Sequence, residues 1–385
     1  MQGTGTPKVY ANISSGNLLR SVQITDGVAG IVGTASVVAN IGKVQTVYSL
    51  EDAKTKGYTQ TAEPFLYRQI SEFYQELGGN QELWVLGTED TMTLESAVTS
   101  TNENGVKKLL TISQGRVNLV GVCRKPAASY VAPAGFLDKD VENAVLASKA
   151  LAQYQQSINR PVRMFIEGRV NDLTANPYYK PNTGTNTYVG VVLGGSVNDG
   201  SASVGLALGR ACKYPAHIKL GNGQNGALSI INAFIGAKKI EEFTPTELDN
   251  FSDAGYIILH TREGAAGYYY SVDNMAGNDD FHILVHGRLI DKAQRIATSA
   301  NTQFLETSVR MDQSGKLNET DAKYMEDMIK MHLRSGMGEQ ISNVDVIVPT
   351  DQDLIGTSTL AMQVKIQPLG YLTWIIVNLG LTKNI

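Results

Sequence analysis

The feature that most constrains the fold is a regular alternation of short apolar runs with amphipathic helical patterns along the first half of the chain. The apolar runs, each long enough for one strand (the first with its turn), lie at residues 27–39, 82–86, 117–122, 163–166 and 188–193. Helical patterns separate them at residues 64–77, 105–112 and 138–155. Alternation of this kind builds parallel strands joined by crossover helices. The pattern therefore predicts an α/β fold with a mainly parallel sheet flanked by helices.

The first of these helices has clear boundaries in the sequence. Pro64 suits a first turn, Thr61 is a candidate N-cap and Gly78 provides a stop. Apolar residues between them recur at helical spacing, so one face of the helix is expected to pack on the sheet. Further along, residues 256–260 and 268–271 are predicted to form a hairpin around a glycine-rich turn.

The last third of the chain changes to a helical pair followed only by strands. In the first helix, residues 288–305, the apolar stripe places Arg288, Lys292 and Arg295 on the outer side. A second helix is predicted over residues 318–336. Strand patterns follow at residues 344–348 and 359–367. The two helices are expected to pack together, and the second strand, which alternates apolar and polar residues, to bury one face.

The amino-terminal end carries a strand pattern outside any obvious core. Residues 1–7 are small and polar, and we expect them to form a free arm. The residues that follow alternate, with Val9, Ala11 and Ile13 on one face and Tyr10 on the other. A short strand is predicted there, marginal on its own.

The carboxyl-terminal segment, residues 371–379, is apolar on both faces. It follows a Pro-Leu-Gly turn and is predicted to be a strand. One of its faces would carry Tyr371, Thr373, Ile375 and Val377. A strand that is apolar on both faces cannot satisfy itself at the end of a chain, so this segment needs cover from elsewhere.

The composition excludes several classes of function. Lys and Arg total 33 against 37 Asp and Glu, a formal net charge of −4, which does not favour nucleic acid or an anionic membrane as the main partner. Cys123 and Cys212 are too few for a disulfide scaffold, and both are expected to be buried. No basic and apolar leader is visible, and the longest apolar run, residues 371–381, is shorter than the ~20 residues of a membrane helix.

The sequence contains no motif that predicts an enzyme. Gly27, Gly30 and Gly33 resemble a nucleotide fingerprint, but the spacing is G-x-x-G-x-x-G and no helix opens behind it, which favours close packing. His282 and His286 stand at a metal-ligand spacing without a third ligand nearby in the sequence. P-loop, zincin and nucleophile-elbow motifs are absent. We therefore expect no catalytic residue, no cofactor and no metal.

Several segments of the chain fit one known family. The last third contains GRLIDKAQRIATSANTQFLE, a DQSGK turn, YMEDMIKMHL, ISNVDVIVP and TLAMQVKIQPLGYLTWIIVNLG. The first half contains GVAGIVGTA and EPFLYRQISEFYQELGGNQELWVL, a glycine-marked strand and a helix leading into an apolar strand. In this order they resemble the tail sheath proteins of contractile phages and related injection systems, closest to the version found in Bacteroidetes.

The resemblance implies a multi-subdomain sheath fold and a structural function rather than an enzymatic one. The implied parts are an amino-terminal arm at residues 1–20, an outer α/β domain at 21–275 with a surface excursion near 171–187, an inner domain at 276–367 and a carboxyl-terminal arm at 368–385. In such sheaths, both arms add β-strands to neighbouring subunits. The subunits polymerise helically around an inner tube, and contraction drives the tube through a target envelope without a nucleotide.

The partners implied are further copies of the chain, an inner tube protein, and baseplate and tail-terminator or cap proteins. The inner domain of such sheaths faces the tube, which makes Arg288, Lys292 and Arg295 candidates for contact with an acidic tube rim. The alternative for these residues is a solvated helix face without a partner. Synthesis in a bacterial cytoplasm, assembly into a virion tail or injection particle, and no membrane insertion are expected. Two other functions stay open: a capsid-like or other shell component, and an α/β enzyme with its site at the carboxyl ends of the strands.

Overall fold

The computed structural model describes residues 26–175 and 179–377 of the chain. The strands in these ranges are β1 (Ala29–Thr34), β2 (Val44–Val47), β3 (Leu83–Thr88), β4 (Leu119–Val122), β5 (Arg163–Gly168), β6 (Thr185–Asn186), β7 (Val189–Leu193), β8 (Phe234–Ile235), β9 (Lys238–Lys239), β10 (Tyr256–Arg262), β11 (Ala265–Tyr270), β12 (Ala276–Gly277), β13 (Ile341–Ile347) and β14 (Gln363–Pro368). The α-helices are α1 (Leu50–Thr55), α2 (Pro64–Leu77), α3 (Leu94–Val98), α4 (Val106–Ile112), α5 (Lys139–Ser157), α6 (Val204–Lys213), α7 (Pro245–Asp253), α8 (Leu284–Asn301), α9 (Glu319–Met337) and α10 (Leu354–Thr357).

Eight of the strands form one sheet, in the order β11-β10-β7-β5-β4-β1-β3-β2. β1 runs parallel to both of its neighbours, and Ile31 is paired with Val85 of β3 and with Gly121 of β4. Every residue of β1, β5 and β7 is buried, as expected for parallel strands that are covered on both faces. The antiparallel strands β2 and β11 form the two edges. The prediction of a mainly parallel sheet flanked by helices is confirmed.

The helix α2 begins at Pro64, as predicted, but Thr61 is not its cap. The N-cap position is occupied by Glu63, whose side chain makes no capping hydrogen bond. The Glu63 carboxylate instead accepts hydrogen bonds from the backbone amides of Ser36 and Val37, at 2.6 and 3.0 Å. The cap prediction was wrong because the helix begins at Pro64, which places Thr61 two residues before the N-cap position.

The helix α6 packs closely on α2, a contact that the sequence patterns do not reveal. A Cβ atom on Gly205 would lie 2.0 Å from the backbone oxygen of Gln69, and one on Gly209 would lie 2.6 Å from that of Phe73. The Gln69 side chain also accepts a hydrogen bond from the Gly205 amide at 2.8 Å and donates one to the Ala202 oxygen at 2.9 Å. Glycine forms part of the contact face here, and an apolar pattern does not mark a glycine as a packing residue.

The helices α8 and α9 form the predicted pair, and the antiparallel sheet β13–β14 lies against them. They share a hydrophobic cluster that is separate from the core of the large sheet and that includes Leu289, Ile296, Ile329, Val344 and Val346. The helix α8 starts four residues earlier than predicted, and β14 starts at Gln363 rather than at residue 359. Across both described ranges, the helices lack the combination of length and apolarity that a membrane crossing requires.

The contact between α2 and α6 can be tested with a single methyl group. We expect Gly205→Ala to lower the free energy of unfolding by about 1–3 kcal/mol, because the added Cβ forces the helices apart and this outweighs the helix propensity gained. Gly79→Ala is the matched control, since a Cβ there would meet no atom within 4 Å. Urea unfolding of both variants measures the difference, and equal stabilities would contradict the close packing.

Candidate assembly surface

The carboxyl-terminal segment leaves the small sheet at Pro368 and is fixed to the rest of the chain at Tyr371. The Tyr371 hydroxyl donates a hydrogen bond to the backbone oxygen of His217 at 2.8 Å. Its ring centroid lies 6.2 Å from that of His286, and the Nζ atom of Lys219 lies 5.5 Å from the ring centre. Burial raises the pKa of Tyr371 to about 12, so the hydroxyl remains a donor at neutral pH. Tyr371 is an internal anchor in this structure, which sets it apart from the other residues of the predicted arm.

Beyond the anchor, residues 372–377 form an exposed apolar segment that belongs to no strand. Its large apolar residues are all exposed: Leu372, Trp374, Ile375, Ile376 and Val377. The exposed fraction of Trp374 is 87%. Thr373 is exposed as well. A run of this kind marks a contact surface, because soluble monomers rarely present contiguous apolar patches to water. The predicted cover is not supplied by the part of the chain that the structure describes.

The sheet β13–β14 provides unpaired strand edges close to this segment. It consists of two antiparallel strands within the described ranges, so each strand bonds only the other and has one edge without a strand partner. Val344 pairs with Ile366 and Val346 with Val364, and these side chains pack towards the helical pair. An unpaired edge whose inner face already rests on a core is a template for further strands.

The charged side of α8 is covered, contrary to the sequence prediction. Arg288 and Lys292 are only 4% and 7% exposed, and Arg295 is half-buried. Lys292 forms an ion pair with Asp26, and Arg288 donates a hydrogen bond to the backbone oxygen of Asp26 at 3.0 Å. The outward placement was wrong because the α/β body packs on this side of the helix. Neither a solvated face nor a contact with a tube rim fits residues that are held in this way.

A buried ion pair links α8 to the parallel sheet. Arg163, at the start of β5, donates through Nε and Nη2 to the two carboxylate oxygens of Asp291, both at 2.7 Å. Both side chains are at most 8% exposed. Arg295 adds hydrogen bonds to the backbone oxygens of Gly115 and Pro161, at 2.6 and 2.7 Å. We call this contact between α8 and the sheet the charged junction.

Sequence reasoning missed Arg163 and Asp291 as structural residues. The sequence did contain an indication of their role. Arg163 is the first residue of an apolar strand, and Asp291 lies among the basic residues of α8. A charge in either position needs a partner when it is buried. Periodicity alone does not distinguish a polar helix face that meets water from one that meets another charged surface.

At the loop after β1, a carboxylate occupies the place of the phosphate in dinucleotide-binding folds. There, backbone amides beyond the first strand hold the phosphate. Here the amides of Ser36 and Val37 bond the fully buried carboxylate of Glu63, which also accepts from Asn40 Nδ2 at 2.8 Å. A Cβ atom on Gly33 would lie 2.7 Å from Cys123 Sγ, so this glycine serves close packing. An internal carboxylate therefore uses the donors that an α/β enzyme would offer to a cofactor at this point.

The two histidines at metal-ligand spacing bond the backbone instead. His282 Nδ1 lies 2.8 Å from the Asp279 oxygen, and His286 Nδ1 lies 2.9 Å from the Asp280 oxygen. Within the described ranges, no three His, Cys, Asp or Glu residues are grouped as a metal site would require. The amino-terminal arm residues of the sequence prediction, Val9, Tyr10, Ala11 and Ile13, lie outside the described residues.

Comparison with known protein families gives two adjoining matches. Residues 6–274 match the profile described as DUF2586, N-terminal domain, and residues 280–385 match the one described as DUF2586, C-terminal domain. The chain belongs to the DUF2586 family. No curated protein sequence matches it.

Several solved structures that share this fold are contractile sheath proteins. The helical sheath of the anti-feeding prophage in its contracted state aligns with a TM-score of 0.65 and 12% identity, covering 99% of this chain and 100% of that one. The sheath complex of the extracellular contractile injection system PVC, also contracted, aligns with a TM-score of 0.65 and 11% identity, covering 100% and 99%. The sheath tail protein of Desulfitobacterium hafniense aligns with a TM-score of 0.52 and 9% identity, covering 94% and 100%. This DUF2586 chain therefore has the fold of contractile sheath proteins along nearly its whole length.

The charged junction can be tested by removing one of its carboxylates. We expect Asp291→Ala to lower the free energy of unfolding by about 3–5 kcal/mol, because it leaves the Arg163 guanidinium buried without its counter-charge. Asp321→Ala is the control, since its partner Arg310 is 68% exposed and the loss there should be much smaller, even with the hydrogen bond that Asp321 accepts from the Arg310 amide. Denaturant unfolding compares the two variants. Similar losses would show that the junction is no stronger than a surface ion pair.

Proposed function

We propose that this chain is the structural subunit of a contractile sheath, which polymerises helically around an inner tube and shortens to drive the tube through a target envelope. The proposal is supported by the fold shared with sheath proteins, two of them in the contracted state. It is also supported by the Glu63 carboxylate, which engages the amides that a nucleotide enzyme would use. The role is structural rather than enzymatic, and it uses no cofactor.

The observation that carries the proposal is the exposed apolar segment beside the open edges of β13–β14. Strand addition to a neighbour's sheet would satisfy both features at once, because the main chain supplies ladder hydrogen bonds and the apolar side chains become covered. Each hydrogen bond contributes about 0.5–1.5 kcal/mol net, and each large apolar side chain that becomes buried contributes about 1.5–3 kcal/mol. A few such residues suffice to hold subunits together.

The anchor at Tyr371 defines which part of the tail reaches a neighbour. Residues 372–377, if extended, span roughly 20 Å beyond the anchor. In this proposal Thr373, Ile375 and Val377 pair with the neighbour as an added strand, and residues 368–370 act as the pivot. Val9, Tyr10, Ala11 and Ile13 supply a second added strand from the other end of the chain.

Head-to-tail contacts of this kind do not close on themselves and therefore generate a helical filament. In this proposal, residues 21–275 form the outer domain with its surface excursion near 171–187, and residues 276–367 form the inner domain. The partners are further copies of the chain, an inner tube protein, and baseplate and terminator or cap proteins. A protein of similar fold is part of the anti-feeding prophage baseplate structure. Synthesis in a bacterial cytoplasm precedes assembly into the particle.

The arm is tested by placing charges on the face opposite Thr373, Ile375 and Val377, which is also apolar and also needs cover when the strand is added. We expect Trp374→Asp combined with Ile376→Asp to abolish assembly into hollow striated cylinders, because a carboxylate cannot be buried against a neighbour's sheet without a large cost. Ile231→Asp is the matched control, since Ile231 is 90% exposed and lies outside the arm. Negative-stain microscopy and sedimentation of both purified variants give the result.

The thermal unfolding of the two variants should be almost the same, because neither position is packed within the chain. Normal cylinders from the double variant would show that this segment is not the link between subunits. Closed shells from the unmodified chain would favour the capsid-like alternative, and dispersed globules at every concentration would favour the enzyme alternative.

Trp374 is also a reporter of assembly. The chain has two tryptophans, and replacing the half-buried Trp84 by phenylalanine leaves Trp374 alone. We expect the fluorescence emission of Trp84→Phe protein to move to shorter wavelength as cylinders form, because the indole passes from water into an apolar contact. The shift should follow the same concentration dependence as sedimentation. An unchanged emission in complete cylinders would mean that Trp374 remains in water and that strand addition leaves it uncovered.

A further inference from the structure

A small cavity lies at the charged junction, and the proposed function does not use it. It lies between α8 and the sheet and has a volume of about 20 Å³, enough for one occupant of the size of a water molecule or a halide ion. Four basic residues and two acidic residues line it: Arg163, Arg288, Lys292, Arg295, Asp26 and Asp291. The lining therefore has two more positive than negative formal charges.

The pairing within the lining shows where this excess is located. Arg163 is paired with Asp291, and Lys292 with Asp26. Arg288 and Arg295 have backbone oxygens as their hydrogen-bond acceptors. Neither forms an ion pair within the described residues, so two guanidinium groups stand at the cavity without a carboxylate in contact.

Both of these arginines have unused donors. The Nε and Nη1 atoms of Arg288 and the Nε atom of Arg295 are buried and have no hydrogen-bond partner in the described parts of the chain. Arg288 is 4% exposed, so bulk water does not supply the missing acceptor. Burial lowers the pKa of both side chains, because a guanidinium removed from water loses the hydration that stabilises its charge.

The rest of the chain supplies no further carboxylate side chain for this position. One additional acid acts on Arg288: Asp273, which is fully buried and lies 3.6 Å from Lys219. That pair is neutral in sum and leaves the excess of two positive charges unchanged. The residues outside the described ranges contain no aspartate and no glutamate.

We propose that this cavity binds one small monovalent anion of halide size, held by the unpaired N–H groups of Arg288 and Arg295. A water molecule would accept the hydrogen bonds but would not offset either charge, and an unbalanced buried charge is far more costly than a missing hydrogen bond. A volume of about 20 Å³ matches a halide better than a phosphate or a larger oxyanion. The anion bridges α8 and the sheet, so its binding stabilises the junction of the folded chain. This inference does not depend on the sheath function.

The test is thermal unfolding of the full chain at constant ionic strength, with sodium gluconate replaced stepwise by sodium chloride. Gluconate is too large for the cavity. We expect a saturable rise in the midpoint temperature, about 2 °C when chloride is at ten times its dissociation constant. Arg288→Met should lose this dependence. The control Arg310→Met should keep it, because Arg310 is 68% exposed and is absent from the cavity lining.

A second measurement needs no variant and stands even if Arg288→Met fails to fold. Crystals of the unmodified chain soaked in sodium bromide should show an anomalous peak within hydrogen-bond distance of Arg288 Nη1. Absence of that peak would overturn the proposal and would assign the cavity to water. A chloride-dependent rise that persists in folded Arg288→Met would also overturn it, because the stabilising anion would then bind elsewhere.

Discussion

The helix α8 makes a different kind of contact on each of two opposite sides. The large sheet and the small sheet β13–β14 are positioned relative to each other by these two contacts. Leu289 and Ile296 pack into the cluster shared with α9 and β13. On the other side, Asp291 receives the Arg163 guanidinium from the first residue of β5. An apolar contact tolerates small shifts, whereas a bidentate pair specifies one geometry. The Arg163–Asp291 pair therefore fixes the position of α8 on the large sheet, and the sheet β13–β14, which packs on α8, is positioned with it.

Much of this fold could be predicted because the strands of a parallel sheet are apolar along their whole length. The strands β1, β3, β4, β5 and β7, the hairpin of β10 and β11, and the pair α8 and α9 all follow from period and turn residues. The helix α6 was missed because Gly205 and Gly209 form its contact with α2. The covered side of α8 was misread because an amphipathic pattern marks a polar face without telling whether water or Arg163 lies against it.

The candidate assembly surface was only partly predictable. The need of the carboxyl-terminal segment for a partner could be predicted from its composition, because a strand cannot bury its own two apolar faces. The anchor at Tyr371 was not visible, because it depends on the backbone oxygen of His217, 154 residues away in the chain. Likewise, the hydrogen bonds from the amides of Ser36 and Val37 to the Glu63 carboxylate were not visible, because they form only when α2 packs over the loop after β1. Contacts of this kind arise from tertiary geometry, and local patterns carry no trace of them.

The two connections, the charged junction and the anchor at Tyr371, differ in kind, and this bears on how a sheath subunit would deform. Breaking a buried ion pair such as Arg163–Asp291 costs about 3–5 kcal/mol, and several further bonds across the junction would have to break with it. Releasing Tyr371 breaks one neutral hydrogen bond, which contributes about 1 kcal/mol, together with the ring contacts to His286 and Lys219. Any strain that arises between neighbouring subunits would therefore be relieved first at residues 368–371, where the arm meets the body, while α8 stays seated against the sheet. Contraction in the proposed sheath would accordingly move subunits as rigid bodies on flexible arms.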